Sequence, residues 1–154
     1  MPETAAKPRT KSVSRQSSIF GRIERKLGTK QLQTDGDLAR LVEARLPVSS
    51  IEALSSHGLT DEEIYTYILP RRTLVHRRSK HEALTHDESD KAVRLARIAS
   101  LAEEVFGEDE KAGRWLRKPK QRFEGRTPLE VLKTEAGARL VEEMLLQLDY
   151  GFFA

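Results

Sequence analysis

Residues 60–88 read TDEEIYTYILPRRTLVHRRSKHEALTHDE, and this stretch decides the fold. Thr60 is followed three residues later by Glu63, and Thr85 is followed by Glu88 at the same spacing. In such a capping box the threonine hydroxyl accepts a hydrogen bond from the glutamate backbone N–H, and the glutamate carboxylate accepts one from the threonine backbone N–H. Each pair therefore predicts that a helix begins directly after the threonine.

A third capping box lies at Thr127 and Glu130, with Pro128 at the first helical position, where its missing N–H costs nothing. Helical spacing of apolar residues predicts a long helix over about 87–106 and a last helix over about 135–149. We expect five apolar residues of the last helix to face inward: Leu140, Val141, Met144, Leu145 and Leu148. Strand-like alternation occurs weakly at 18–22 and is too short to set the fold class. The sequence predicts an all-α fold.

The segment between the first two capping boxes has the parts of a helix-turn-helix. A capped helix is broken at Leu69-Pro70, and a basic second helix, RRTLVHRRSK, covers residues 71–80. Arginine and lysine neutralise phosphates, and arginine also binds guanine bidentately in the major groove. The pattern favours DNA binding, although a solvated basic face on an ordinary helix has the same composition.

The orientation of the second helix follows from a rotation of about 100° per residue. With Leu74 and Val75 placed against the core, the residues that face outward or lie at the flanks are Arg72, Thr73, His76, Arg77 and Lys80. These five residues are the predicted DNA contacts. Arg78 falls nearer the core, where we expect it to pair with an acid such as Glu88.

Charge and composition narrow the functional classes. Residues 1–86 carry 15 Lys and Arg against 10 Asp and Glu, a net charge of +5, whereas residues 87–154 carry 12 against 14, a net charge of −2. A basic front half suggests that any polyanion binds there. The chain has no cysteine, which excludes disulfides, thiolate zinc sites and cysteine nucleophiles and is compatible with a reducing cytoplasm. No apolar run is long enough for a membrane span.

Enzymatic and metal chemistry are not expected. His76, His81 and His86 recur every five residues, a spacing that rotates successive side chains by about 140° on a helix, so the three cannot share one face. Neither a Ser/His/Asp order nor a phosphate-binding glycine loop is recognisable. We therefore expect no catalytic residue, no metal and no cofactor.

The chain divides into three predicted regions. Residues 1–18 are rich in serine, proline and basic residues, bury almost nothing, and are expected to form a disordered basic arm. Residues 19–86 hold the helix-turn-helix, and residues 87–154 form a second helical unit. Within it, Gly137 is expected to omit a side chain where another element comes close.

The C-terminal half resembles the toxin-binding domain of the Xre/MbcA/ParS antitoxin family. The matching stretches are ESDKAVRLARI at 88–98, AEEVFG at 102–107, WLRKP at 115–119, GRTPLEVLKTEAGARLVEEML at 125–145 and YGFFA at 150–154. The string G-R-T-P-L-E-x-L-x-T-x-x-G is the most specific of them. The stretch WLRKPKQRFEGR departs from the family, since many relatives have an asparagine-containing loop there.

The resemblance implies a bacterial, cytoplasmic antitoxin with a central Xre-like helix-turn-helix and a small helical toxin-binding domain. Such a protein forms a homodimer, represses its own operon and blocks by direct contact a toxin, most often a RES-domain enzyme that depletes NAD⁺. The implied toxin contacts are Gly125, Arg126, Tyr150, Phe152, Phe153 and Ala154. From the residues alone, 125–145 is core, and the aromatic tail folds back on the domain as readily as it meets a partner. The alternatives are a helical adaptor that binds only protein and a stand-alone regulator without a toxin.

Overall fold

The computed structural model describes residues 9–151, and over this range the chain is helical, with no strand. The helices in chain order are α1 (Arg9–Leu27), α2 (Asp35–Ala44), α3 (Ser49–Ser56), α4 (Asp61–Tyr67), α5 (Arg71–Ser79), α6 (His86–Phe106), α7 (Asp109–Arg117), α8 (Pro128–Val131) and α9 (Glu135–Asp149). A 3₁₀ turn, Gln121–Phe123, precedes α8. The predicted all-α class is confirmed.

The capping boxes begin their helices as expected. The hydroxyls of Thr60, Thr85 and Thr127 each accept a hydrogen bond from the glutamate three residues on, at 3.1–3.2 Å. A further capping box, not among those predicted, begins α2 at Thr34 and Asp37. Because these bonds are local, helices α4, α6 and α8 begin where the sequence predicts.

Helix α6 lies at the centre of the molecule and packs against α1, α2, α7 and α9. Its inner face is built partly from small residues, and Ala92, Ala96 and Ala102 are fully buried. Small side chains let neighbouring helices approach closely, so one core serves both the helix-turn-helix and the C-terminal helices.

The first helix corrects the predicted N-terminal arm. Residues 9–18, expected to be disordered, belong to α1, and the strand-like residues 18–22 are helical as well; residues 1–8 lie outside the described range. Ile23 and Leu27 of α1 are buried in the core. Nearer the start of the helix, Arg15 pairs with Asp149 of α9 at 2.5 Å. The polar composition of residues 9–18 does not predict a helix, because this helix is stabilised by contacts with residues distant in sequence.

A buried ion pair fixes α1 on α6. Lys26 pairs with Glu103, both side chains being almost fully buried, and Arg22 Nη1 lies 3.1 Å from the second carboxylate oxygen of Glu103. Burial, reinforced by a hydrogen bond with Asp109, raises the pKa of Glu103 above its ordinary value even though Lys26 opposes this shift.

The contact between α8 and α9 confirms the prediction for Gly137. A Cβ at this position would lie 1.8 Å from the backbone oxygen of Val131, so no side chain fits. On the same helix Val141 and Leu145 are buried as expected, but Leu140 is 49% exposed, which makes its predicted inward position wrong. Leu140 precedes Val141 by one residue and therefore lies about 100° around the helix from it.

Candidate functional site

Helices α4 and α5 form the predicted pair, joined by a short turn. The two helices are held together by buried apolar side chains. These are Ile64 in α4, Ile68 and Leu69 directly after it, and Leu74 in α5. Pro70 adopts an extended conformation with φ −60° and ψ 150°, and α5 begins at the next residue. Proline fixes this φ and lacks an N–H, so it ends the first helix and sets the direction of the second.

The exposed face of α5 differs from the predicted one because Leu74 is the only buried residue of this helix. Val75 is 53% exposed, so its predicted position against the core is wrong. With Leu74 alone inward, the face opposite to it consists of Arg72, Val75, His76 and Ser79, all exposed. Thr73 is half-buried at the flank and Lys80 is exposed at the C-cap. The sequence contained the signal for this face: if only Leu74 is placed inward, the rotation of about 100° per residue puts Val75 and Ser79 on the exposed face.

Arg77, and not Arg78, forms the ion pair with Glu88. Arg77 Nε and Nη2 donate to both carboxylate oxygens of Glu88 at 3.1 and 2.9 Å, and Nη1 donates to Glu82 at 3.2 Å. Arg78 instead pairs with Glu52 of α3 at 3.3 Å and is half exposed. The expected pairing of Arg78 with Glu88 is therefore wrong, because Arg77 lies on the side of α5 that meets the start of α6.

The Arg77–Glu88 pair ties the second helix of the helix-turn-helix to α6. Burial alone raises the pKa of Glu88, but the bonds from Arg77 and from Thr85 outweigh burial and hold this pKa below its ordinary value. The hydrogen bond to Glu88 likewise raises the pKa of Arg77. Arg77 thus has a structural partner on each side of its guanidinium.

Arg71, Arg72 and Lys80, at the two ends of α5, differ from Arg77 and Arg78 in their ion pairing. Among residues 9–151, Arg71, Arg72 and Lys80 form no ion pair with an acidic side chain. Arg71 and Arg72 also lie in the first turn of α5, which contains no acidic residue. Cations at the positive end of a helix dipole are unfavourable unless an anion approaches. The geometry suits the binding of a phosphate backbone at this end of the helix.

The C-terminal candidates lie on a turn and on the end of α9. Glu124 and Gly125 adopt positive φ values of 58° and 82°, and the Gly125 N–H donates to the Lys120 oxygen at 3.0 Å. Arg126 follows with an exposed side chain whose Nε donates to the Phe123 oxygen at 3.2 Å. Tyr150, at the C-cap of α9, is 69% exposed. Phe152, Phe153 and Ala154 lie outside the described residues.

No metal or membrane site emerges from the residues that the structure describes. Between residues 9 and 151, no three His, Asp or Glu side chains come together in a way that could hold a metal ion. None of the described helices combines the length and the apolar character that a membrane span requires.

Two domain families match the chain. Residues 37–97 match the antitoxin Xre-like helix-turn-helix domain, and residues 101–151 match the antitoxin Xre/MbcA/ParS C-terminal toxin-binding domain. Helix α6 contributes to both ranges. An antitoxin Xre of Pseudomonas putida is 39% identical over 131 residues, which cover 85% of this chain and 82% of that protein. An antitoxin Xre of Yersinia enterocolitica is 33% identical over 87 residues, which cover 56% of this chain and 59% of that protein.

Proposed function

The chain belongs to the antitoxin Xre family, and from this premise we propose that it represses its own operon through α5 and neutralises a toxin encoded beside it through its C-terminal domain. Membership also confirms that the chain is not an enzyme, because both matched domains are binding domains. The proposed place of action is the bacterial cytoplasm, where operator DNA and a newly made toxin are both accessible.

The observation that carries the DNA half is that Arg72 and Lys80, at the two ends of α5, form no ion pair with any acidic residue that the structure describes. Arg72, Thr73, His76 and Lys80 are the proposed contacts, with Arg72 and Lys80 neutralising phosphates. Arg77, the fifth predicted contact, has its guanidinium engaged by Glu82 and Glu88. We assign it the task of holding α5 at its angle to α6, so that the other four side chains reach the groove.

The proposed repressor is a homodimer. Helix-turn-helix dimers place two recognition helices in successive major grooves, roughly 34–36 Å apart, and so read two half-sites of one operator. A single α5 helix of nine residues offers few base contacts, and a second copy doubles them. Two facts support a homodimer: the resemblance to the family, and the small number of base contacts that one α5 can make.

The proposed partner of the C-terminal domain is a RES-type toxin that depletes NAD⁺. Two features support a partner surface here: Leu140 and Tyr150, both on or at the end of α9, are large apolar side chains with about half or more of their surface exposed. The proposed contacts are Gly125, Arg126, Tyr150, Phe152, Phe153 and Ala154, with the aromatic tail entering the toxin cleft. Aromatic side chains supply much apolar area at low entropic cost, which suits such a plug.

The DNA half is tested by measuring affinity for the segment upstream of the chain's own gene across a range of salt concentrations. Arg72→Ala is expected to weaken binding and to reduce the slope of log affinity against log salt by about 0.9, the value for one lost phosphate contact. Arg114→Ala is the matched control, since Arg114 is an exposed arginine on α7 that pairs with Glu110. Equal binding by Arg72→Ala and the wild type at every salt concentration rejects this assignment.

The toxin half is tested by removing residues 150–154. The shortened chain is expected to bind the product of the neighbouring reading frame more weakly than the full chain does, while its affinity for the upstream DNA is unchanged. If the shortened chain binds that product with full affinity, the tail does not contact it.

A further inference from the structure

One apolar side chain interrupts the basic face of α5. Val75 is 53% exposed and, among the described residues, only Leu140 and Tyr150 are also large, hydrophobic and strongly exposed. It follows Arg72 by three residues and precedes Ser79 by four, so the three lie on one side of the helix. Val75 therefore lies within the surface that faces away from the protein core.

The fold gives no reason for a valine at this position. Leu74 alone supplies the core contact of α5, and the adjacent residue is turned about 100° away from it. A β-branched side chain also has lower helix propensity than alanine, arginine or lysine, because its χ1 torsion is restricted in a helix. For binding phosphates, a cation would serve better than an isopropyl group.

The chemistry of the major groove supplies a reason. The base edges there present hydrogen-bond donors and acceptors, and their apolar group is the C5-methyl of thymine. Arg72 and His76 flank Val75 on the exposed face and can bind phosphates or base acceptors on either side of it. A stiff valine loses little side-chain entropy when it meets a methyl group.

We propose that Val75 contacts the C5-methyl group of a thymine in the operator and so determines the base at that position. This assignment rests on the proposed DNA binding by α5 and adds to it a residue that reads sequence. The neighbouring cations supply affinity for any DNA, whereas Val75 distinguishes thymine from the other bases.

The test removes only the methyl group from the DNA. Duplexes that the full chain selects from a random pool are resynthesised with deoxyuridine replacing each thymine in turn, and affinity is measured by fluorescence anisotropy. The wild type is expected to lose about four-fold in affinity at one thymine, corresponding to about 0.8 kcal/mol for one buried CH₂ group. Val75→Ala is expected to bind the thymine duplex more weakly and to show no further loss with deoxyuridine at that position.

Two arms make the test decisive. Val75→Ile keeps an apolar β-branched side chain and is expected to retain the loss on deoxyuridine substitution; helical content measured by circular dichroism checks that all variants fold. The proposal is overturned if the wild type binds its selected duplex equally well with deoxyuridine at every thymine, or if Val75→Ala shows the same loss as the wild type. Failure of the wild type to select any duplex rejects DNA binding itself, and the assignment of Val75 with it.

Discussion

Arg117 of α7 holds both carboxylate oxygens of Glu63, with Nε 2.6 Å from Oε1 and Nη2 3.0 Å from Oε2. Arg117 Nη2 also donates to the Gly58 oxygen at 2.7 Å. Glu63 is at the same time the capping residue of α4, since it accepts the Thr60 N–H at 3.0 Å. One carboxylate therefore begins the first helix of the helix-turn-helix and joins it to the toxin-binding domain.

Arg117→Ala is expected to lower the free energy of unfolding by about 1 kcal/mol, because it removes a bidentate pair that is partly screened by solvent. In the Arg117→Ala variant, Glu63→Gln should lower the free energy of unfolding by less than it does in the wild type, because the two residues share one interaction. Urea denaturation of the four chains in this cycle measures the coupling.

Arg114→Ala is the control for this cycle. Arg114 lies on the same helix and, within residues 9–151, pairs only with the exposed Glu110 at 2.8 Å, so its loss should cost less than about 0.5 kcal/mol. Equal costs for the two arginine variants would contradict the role of Arg117 as the link between the domains.

Stability is expected to fall in acid because capping carboxylates titrate. Burial raises the pKa of Glu63, but Arg117 and Thr60 outweigh it and hold this pKa below the ordinary 4.5, while hydrogen bonds from Gln33, Arg40 and Thr34 lower the pKa of Asp37 to about 2. A depressed folded-state pKa stabilises the fold above the unfolded-state value, and this stability is lost as the pH falls through the folded-state value. The free energy of unfolding should therefore decrease from about pH 4.5 towards pH 2.

Glu63→Gln is expected to make this decrease shallower, because glutamine keeps an acceptor for the Thr60 N–H but carries no charge. Glu62→Gln, at an exposed position on α4 with no ion pair among the described residues, should leave the slope as in the wild type. Chemical denaturation at several pH values measures both slopes, and identical slopes for Glu63→Gln and the wild type would count against the pair.

The elements that the sequence predicted well are those set by local bonds. Helix α6 runs from His86 to Phe106 against a predicted 87–106, and α9 has the predicted bounds of 135–149. Orientation was harder, because it depends on which of two adjacent apolar residues meets the core. Val75 and Leu140 each lie beside a buried neighbour, and the prediction that they face inward is wrong for both. The helical part of the N-terminal arm depends on contacts such as Arg15–Asp149, which no local pattern reveals.

Gly137→Ala is expected to destabilise the C-terminal domain by about 3 kcal/mol, because the added Cβ would overlap the Val131 carbonyl and backbone cannot yield as a side chain does. Gly21→Ala is the matched control within α1, where a Cβ meets nothing within 4 Å. That variant should be stabilised by about 0.5–1 kcal/mol through helix propensity. Thermal unfolding of the two variants distinguishes the packing of Gly137 against Val131 from the effect of helix propensity. Similar melting temperatures would show that residue 137 is not in close contact with the Val131 carbonyl.

Arg77→Ala is expected to act through the orientation of α5. Its partners Glu82 and Glu88 would lose their cation, and because the Arg77–Glu88 pair is largely buried, we expect a cost of about 1–3 kcal/mol in stability. DNA affinity should fall without a change in the salt slope, whereas Arg72→Ala should reduce the slope and leave stability nearly unchanged. A reduced salt slope for Arg77→Ala would return this residue to the set of direct phosphate contacts.

The proposed antitoxin function is tested most directly by the growth of cells that express the product of the neighbouring reading frame, alone or together with this chain. We expect that the neighbour alone arrests growth and that co-expression of the full chain restores it. Persistent arrest in the presence of the full chain, or a neighbour that is harmless by itself, would contradict the proposed function as an antitoxin.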